Sequence, residues 1–277
     1  MIKFQPVIKW SGSKRSQVND ILKYFPKNIK TYYEPFCGGA SVLMGLLLSD
    51  IDCEEYVCSD INEGLISLWN IIKSNPKLVS KTYEKMWHEL NDKDDDKKRK
   101  KEYFFMVRDR YNKERNPLDF MFIMRTTTNG MPRYNKNGEF NNSFHTTRNG
   151  IQPEKLDKII NSWSEILNKN NVQFVCKNYL DIKPQKGDFV YLDPPYANTK
   201  GMYYGALDNE QLFNWLRKCD SEYIMSFDGI SGEVDNTYKV PEDIYSKHVY
   251  LLNGNSSFKR VIGESNDSMV YESLYIR

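Results

Sequence analysis

The sequence predicts an α/β fold built on a mostly parallel sheet with helices on both faces. Short β-prone runs alternate with helical stripes toward both ends of the chain, the pattern of strands joined by crossover helices. Those runs stop at glycine, proline or aspartate, the punctuation expected where a strand gives way to a loop. The 277 residues are enough to bury a sizeable core. At roughly 100–200 residues per domain they allow one large domain or two modest ones.

The elements follow in order. Residues 31–34 (Thr-Tyr-Tyr-Glu) form a β-prone run that ends in Pro35-Phe36-Cys37-Gly38-Gly39. After it, Ser41 is expected to cap a helix through Leu48. A second strand, 56–58, ends at Ser59-Asp60, and from Ile61 a helical stripe recurs at Leu65, Leu68, Trp69 and Ile72. Pro153 opens a helix with Leu156, Ile159, Ile160, Trp163, Ile166 and Leu167 on one face. Strand-like runs follow at 172–176, 189–192 and 223–227, with a helical 212–216 between the last two.

The middle has another character. An acidic cluster (Asp92, Asp94, Asp95, Asp96) gives way to Lys97-Lys98-Arg99-Lys100-Lys101. Residues 97–136 hold twelve Lys/Arg against four Asp/Glu, a local +8 in a chain with 39 basic and 37 acidic residues. Two readings stand: a solvated helix followed by a long Asn/Gly-rich loop through Gly150, or an inserted nucleic-acid-binding module.

Composition excludes several classes. Net charge names no partner by itself. The longest near-apolar run, 42–48, is far too short for a bilayer span, and no secretory signal is visible at the start. A cytoplasmic protein is expected, with no membrane partner. Five cysteines form no C-x-x-C pair, and three histidines are scattered, so no metal site is expected.

Asp193-Pro194-Pro195-Tyr196 directly follows the strand run at 189–192. Ligands of open α/β sheets bind beyond the carboxyl ends of the strands, where this places Asp193. The prolines stiffen the corner. A carboxylate beside the Pro194 carbonyl can accept both hydrogens of a planar amine, drawing the nitrogen lone pair out of conjugation. Tyr196 offers a face on which a flat base stacks, worth roughly 1–3 kcal/mol. By average residue usage such a tetrapeptide arises by chance in on the order of one chain in a thousand.

Glu34-Pro35-Phe36-Cys37-Gly38-Gly39 is a strand-to-helix glycine turn that a ligand can approach closely. It is neither G-x-G-x-x-G nor a phosphate loop. Asp60 ends the next strand, 22 residues after Gly38, where an acidic residue holds ribose hydroxyls. A ribose without a phosphate cradle points to S-adenosylmethionine.

Lys9-Trp10-Ser-Gly12-Ser-Lys14, Glu34-Pro-Phe-Cys-Gly-Gly, Ser59-Asp60-Ile61-Asn62, Asn129-Gly-Met-Pro-Arg133-Tyr-Asn135, Gly138-Glu-Phe-Asn141 and Asp193-Pro-Pro-Tyr196 occur in that order, and Glu272-Ser-Leu-Tyr-Ile closes the chain. Together they resemble the Dam family of DNA adenine methyltransferases over nearly the whole length. The resemblance implies a Rossmann-like class I S-adenosylmethionine-dependent methyltransferase sheet, residues 1–62 and 151–277, and an inserted, mainly helical DNA-recognition domain, residues 63–150, that contains a hairpin loop. It implies methyl transfer to the N6 amine of a flipped adenine in double-stranded DNA, with S-adenosylhomocysteine as product and a monomeric enzyme. Asp193, Pro194, Pro195 and Tyr196 would be catalytic, with Asp193 also touching the cofactor. Trp10, Lys14, Glu34, Phe36, Cys37, Gly38 and Gly39 would line the cofactor, Asp60 would hold its ribose and Ile61 would cover its adenine. Asn178-Tyr179 stands where the family usually has Asp and an aromatic; Asn can still accept a proton there. Lys9, Asn129, Met131, Arg133, Tyr134, Asn135 and Asn141 match DNA-reading positions, and Arg is the commonest bidentate reader of guanine.

Two departures bear on the target. Thr128 stands where the family often carries an aromatic wedge, and Asn142 follows Phe-Asn141 in place of the usual Pro. GATC, the family's best-known site, does not carry over automatically. Two rivals remain: an RNA or protein-glutamine methyltransferase, which more often carries Asn at the position of Asp193, and a DNA-binding relative without activity, against which the intact motifs argue.

Overall fold

The computed structural model describes residues 2–92, 96–147, 149–196, 207–255 and 269–277. In chain order its strands are β1 (Asn28–Glu34), β2 (Asp52–Asp60), β3 (Val172–Cys176), β4 (Phe189–Leu192), β5 (Glu222–Phe227), β6 (Ile230–Ser231), β7 (Val234–Asp235), β8 (Lys247–Asn255) and β9 (Met269–Ile276). Among the described residues they make one sheet, ordered β3-β2-β1-β4-β5-β9-β6-β7, with β8 also paired to β9. From β3 to β5 every pairing is parallel. β9 then runs antiparallel to β5, β6 and β8. The mostly parallel α/β sheet read from the sequence is therefore present, extended at one end by antiparallel strands.

The helices are α1 (Val18–Ile21), α2 (Ser41–Leu47), α3 (Glu63–Ser74), α4 (Pro76–Asn91), α5 (Lys97–Glu114), α6 (Pro117–Thr126), α7 (Pro153–Lys169) and α8 (Asn209–Arg217). One expectation at the start of α2 is corrected. Ser41 does not cap the helix. Ala40 holds that place at φ 51 because its N–H turns back onto the Cys37 carbonyl, 2.6 Å away. Ser41 sits inside the first turn, its Oγ 2.7 Å from that of Ser13.

The chain between β2 and α7 is more helical than a solvated helix and a long loop. Asn75 and Asn116 accept the Leu78 and Leu118 amides at 3.2 and 2.9 Å, each just ahead of a proline at the helix start. Asp96 accepts the Lys98 amide at the head of α5. Part of the basic run serves the fold: Arg99 donates to the Glu89 and Leu90 carbonyls, which closes the last turn of α4, and Lys100 is buried. Arg110 grips the buried Asp119 through two bonds, at 2.7 and 2.5 Å. Of the acidic cluster, Asp94 and Asp95 lie outside the described residues.

α4, α5 and α6 bury Val79, Tyr83, Phe104, Val107, Phe120 and Ile123 in the same apolar cluster that holds Ile29, Tyr32, Leu43 and Ile224 of the sheet and α2. At its centre the Trp69 ring of α3 stacks between Trp163 of α7, 5.0 Å away, and Phe174 of β3, 5.4 Å away. Its Nε1–H donates to the Gly38 carbonyl at 3.0 Å. The largest side chain of the core thus holds the glycine turn in place.

Candidate active site

From β1 the chain steps to β2 on one side, while β4 lies on the other, so the strand order reverses between β1 and β4. In an open sheet the crevice at that reversal is where ligands bind. A cavity of about 310 Å³ opens there, lined by the segments that leave β1, β2 and β4 together with residues 10–14. That volume falls at the lower end of the range for small-molecule sites.

The first wall is the glycine turn. Gly38 takes φ +45, and a Cβ on it would fall 2.5 Å from the Trp10 indole nitrogen. The missing side chain is the space the indole occupies. Phe36, Cys37 and Gly39 line the same wall. Asp60 ends β2 with its carboxylate accepting the Gly38 amide at 3.3 Å and the Asn62 amide at 3.0 Å. Burial raises it to about 6 despite those bonds. Ile61 stands half exposed at the rim. Tyr179 packs on Phe36, ring centroids 5.4 Å apart, and its buried hydroxyl has no hydrogen-bond partner among the described residues. Asn178 also faces the cavity, but its Oδ1 already accepts the Leu180 amide at 3.0 Å.

The second wall is the corner after β4. Asp193, Pro194, Pro195 and Tyr196 all line the cavity. Asp193 Oδ1 lies 2.7 Å from the Lys14 ammonium and accepts the Tyr196 hydroxyl at 3.3 Å. Burial pushes the Asp193 carboxyl up, and Lys14 pulls it back. Burial likewise opposes the charge on Lys14, yet two carboxylates, Asp193 and Glu272, hold that lysine above its ordinary pKa. Beneath them Glu34 is buried, hydrogen-bonded by the Tyr32 hydroxyl at 2.7 Å, and burial raises it to about 8.

Every residue that the sequence suggested for the cofactor or the chemistry meets on this cavity. The DNA-reading positions divide. The backbone and stem of Lys9 press against Gly130, whose φ of +63 leaves no room for a Cβ, and the Ser11 amide bonds to the Gly130 carbonyl at 3.0 Å. Asn129, Arg133 and Asn141 are exposed and Met131 is half-buried around this hairpin, whose sides bridge at Thr127–Phe144 and Tyr134–Phe140. Tyr134 is different: it is buried, lines the cavity, and takes a 2.9 Å hydrogen bond from Asn62. Asn135 spends its carbonyl oxygen on the Asn137 and Glu139 amides, shaping the hairpin tip.

Sequence reasoning gave no role to Glu272, Asn62 or Asn142. Asn142 Nδ2 donates to the Thr128 and Met131 carbonyls, both at 3.0 Å, and so closes the hairpin neck. The Phe-Asn-Asn departure could have flagged it. Nothing local to Glu272 signals its contact with Lys14.

Known proteins resemble this chain along its sequence. Over 99% of both chains, the sequence is 32% identical to the type II methyltransferase M.MjaIII of Methanocaldococcus jannaschii. It is 32% identical to the DNA adenine methylase of Escherichia coli K12 over 71% of this chain and 66% of that one. To the type II methyltransferase M.FokI of Planomicrobium okeanokoites it is 26% identical over 95% of this chain but only 42% of that relative. The family model that matches residues 10–258 takes in nearly all of the chain. This protein belongs to the D12 class of N6 adenine-specific DNA methyltransferases, enzymes that methylate adenine in DNA.

Proposed function

We propose that the methyl donor is S-adenosylmethionine and that the reaction occurs on an adenine swung out of the duplex into the cavity, since its amine cannot be reached while stacked. One observation carries the reading: the glycine turn with Asp60 and the Asp193–Tyr196 corner line one cavity. Its residues fit the donor. Asp60 offers carboxylate oxygens to ribose hydroxyls, the Trp10 indole seated against Gly38 makes a flat apolar part of the wall, and the Tyr179 hydroxyl is a buried polar group without a partner among the described residues. When bound, S-adenosylmethionine supplies an electrophilic methyl group.

The chain does the rest by positioning and electrostatics. Asp193 has its Oδ1 engaged by Lys14 and Tyr196, which leaves Oδ2 to accept an amine hydrogen. The Pro194 carbonyl takes the second, and Tyr196 supports the base. The amine nitrogen would take the methyl as the donor's carbon–sulfur bond breaks and its electron pair stays on sulfur; the nitrogen then becomes cationic and gives up a proton, for which Asp193 is the nearby acceptor. We assign residues 1–62 and 151–277 to catalysis and 63–150 to DNA recognition, with Lys9 and Arg133 as base readers, in a cytoplasmic monomer. Sequencing of DNA modified by the enzyme reads out the target, with GATC as the first candidate.

Asp193→Ala tests the assignment. Methyl incorporation into duplex DNA should fall by at least about a hundredfold, while cofactor and duplex affinities hold. Turnover near that of the parent would remove Asp193 from the chemistry.

A further inference from the structure

We propose that Glu272 is a positioning residue for methyl transfer, sharing the Lys14 ammonium with Asp193 so that Asp193 keeps an anionic oxygen for the adenine amine. The inference rests on the reading above that Asp193 receives that amine.

Glu272 is a carboxylate in the middle of β9, between Tyr271 and Ser273, with its side chain 13% exposed. A charge in such a place is costly unless paired and hydrogen-bonded. It has both supports: Lys14 Nζ lies 3.6 Å from its Oε2, and Asn253 of β8 donates to Oε1 at 2.8 Å. Asn253 in turn accepts the Ser16 hydroxyl at 3.2 Å. The carboxylate is thus held at a fixed distance from the lysine by a neighbouring strand.

Lys14 donates to the Gly12 carbonyl at 3.1 Å, lies 2.7 Å from Asp193 and stands 3.6 Å from Glu272 as an ion pair. With one carboxylate, the buried cation would cancel the charge on Asp193. With two, the cluster keeps one net negative charge beside the place where the amine nitrogen turns cationic. Fixed charge of that sign at that place favours the transition state over the ground state. The other ionisable groups that bear on Asp193 are Glu34 of β1, Tyr191 of β4 and Tyr196. None of these is a second carboxylate within salt-bridge distance of Lys14.

Glu272→Gln keeps the shape and the bond from Asn253 but removes the charge. We expect kcat to fall about tenfold, the scale of a disturbed alignment, with KM for duplex scarcely changed. The acid limb of the kcat–pH profile should move to lower pH, because Asp193 loses an anionic neighbour and gains the undivided lysine. Glu272→Asp, which keeps the charge, should restore that limb. Without any methyl donor, competition binding should show a weaker preference for target adenine over purine, which lacks the amine. In a Lys14→Met background, Glu272→Gln should cost much less, because the part of its action that runs through the shared lysine is gone. An unchanged kcat with an unmoved acid limb overturns the inference, as does an equal loss in the Lys14→Met background. If Asp193→Ala stays active, the parent reading fails; if Asp193→Ala is dead while Glu272→Gln behaves as wild type, only the role of Glu272 fails.

Discussion

Glu34 ends β1 with its carboxyl buried beneath the cavity, and its titration has a consequence for stability. Burial raises that carboxyl to about 8 from an ordinary value of 4.5, against the pull of the Tyr32 hydroxyl. Between those values the folded chain keeps a proton that the unfolded chain releases, so stability falls as pH rises through the window. Glu34→Gln retains the acceptor for Tyr32 and removes the ionisation. The variant should match the parent near the lower end of the window, be more stable by about 3 kcal/mol at neutral pH, and hold a constant gain once the carboxyl has titrated in both states. Urea unfolding across that range checks it; a pH-independent difference would mean that the folded protein carries Glu34 as an anion.

At the scale of elements, the hairpin proposed to read DNA hangs on a few polar bonds at its neck. Asn142 alone makes two of them, to the Thr128 and Met131 carbonyls. Each such bond contributes on the order of 1 kcal/mol, so Asn142→Ala should weaken duplex binding several-fold through a looser hairpin. Cofactor affinity, measured by calorimetry, should stay as it was, because the glycine turn and Asp60 are held separately. A loss of cofactor binding of the same size would show that the neck supports the cavity as well. How much of this was legible in the sequence divides along the same lines. β1 to β5, α3, α7 and α8 follow from apolar periodicity and turn residues, because their buried faces are continuous and set by local pattern. β6, β7 and β8 do not: two are only two residues long, and the third runs into Leu-Leu-Asn-Gly-Asn and owes its existence to pairing with β9. The cap of α2 was misread because Ala40 is forced left-handed by a turn that closes on Cys37, and no propensity signals that. Most of the cavity residues were readable as motifs, since Glu34–Gly39, Asp60–Ile61 and Asp193–Tyr196 each begin at a strand end, whereas Trp10 and Lys14 lie ahead of the first strand and were reached only through the resemblance. The partnership of Lys14 with Glu272 was not, since it joins opposite ends of the chain and exists only once β9 is in the sheet.

For the molecule as a whole, the decisive feature is that the inserted helices and the sheet share one apolar interior. The proposed division into catalysis and DNA reading does not make separate folding units here, because residues 63–150 could not be removed without uncovering Trp163 and Phe174, on which Trp69 stacks. Calorimetric unfolding should therefore show a single cooperative transition whose calorimetric and van 't Hoff enthalpies agree. Two resolved transitions would mean that the interior is divided. The common interior also bears on how such an enzyme acquires a new target. If the inserted helices are the DNA reader, as proposed, sharing an interior with the sheet means they could not be exchanged as a cassette by recombination, since a foreign set of helices would arrive with the wrong underside. If Asn129, Arg133 and Asn141 read the bases as proposed, new specificity would come by single changes at these exposed tips, where a replaced side chain meets solvent and leaves the buried interior as it was.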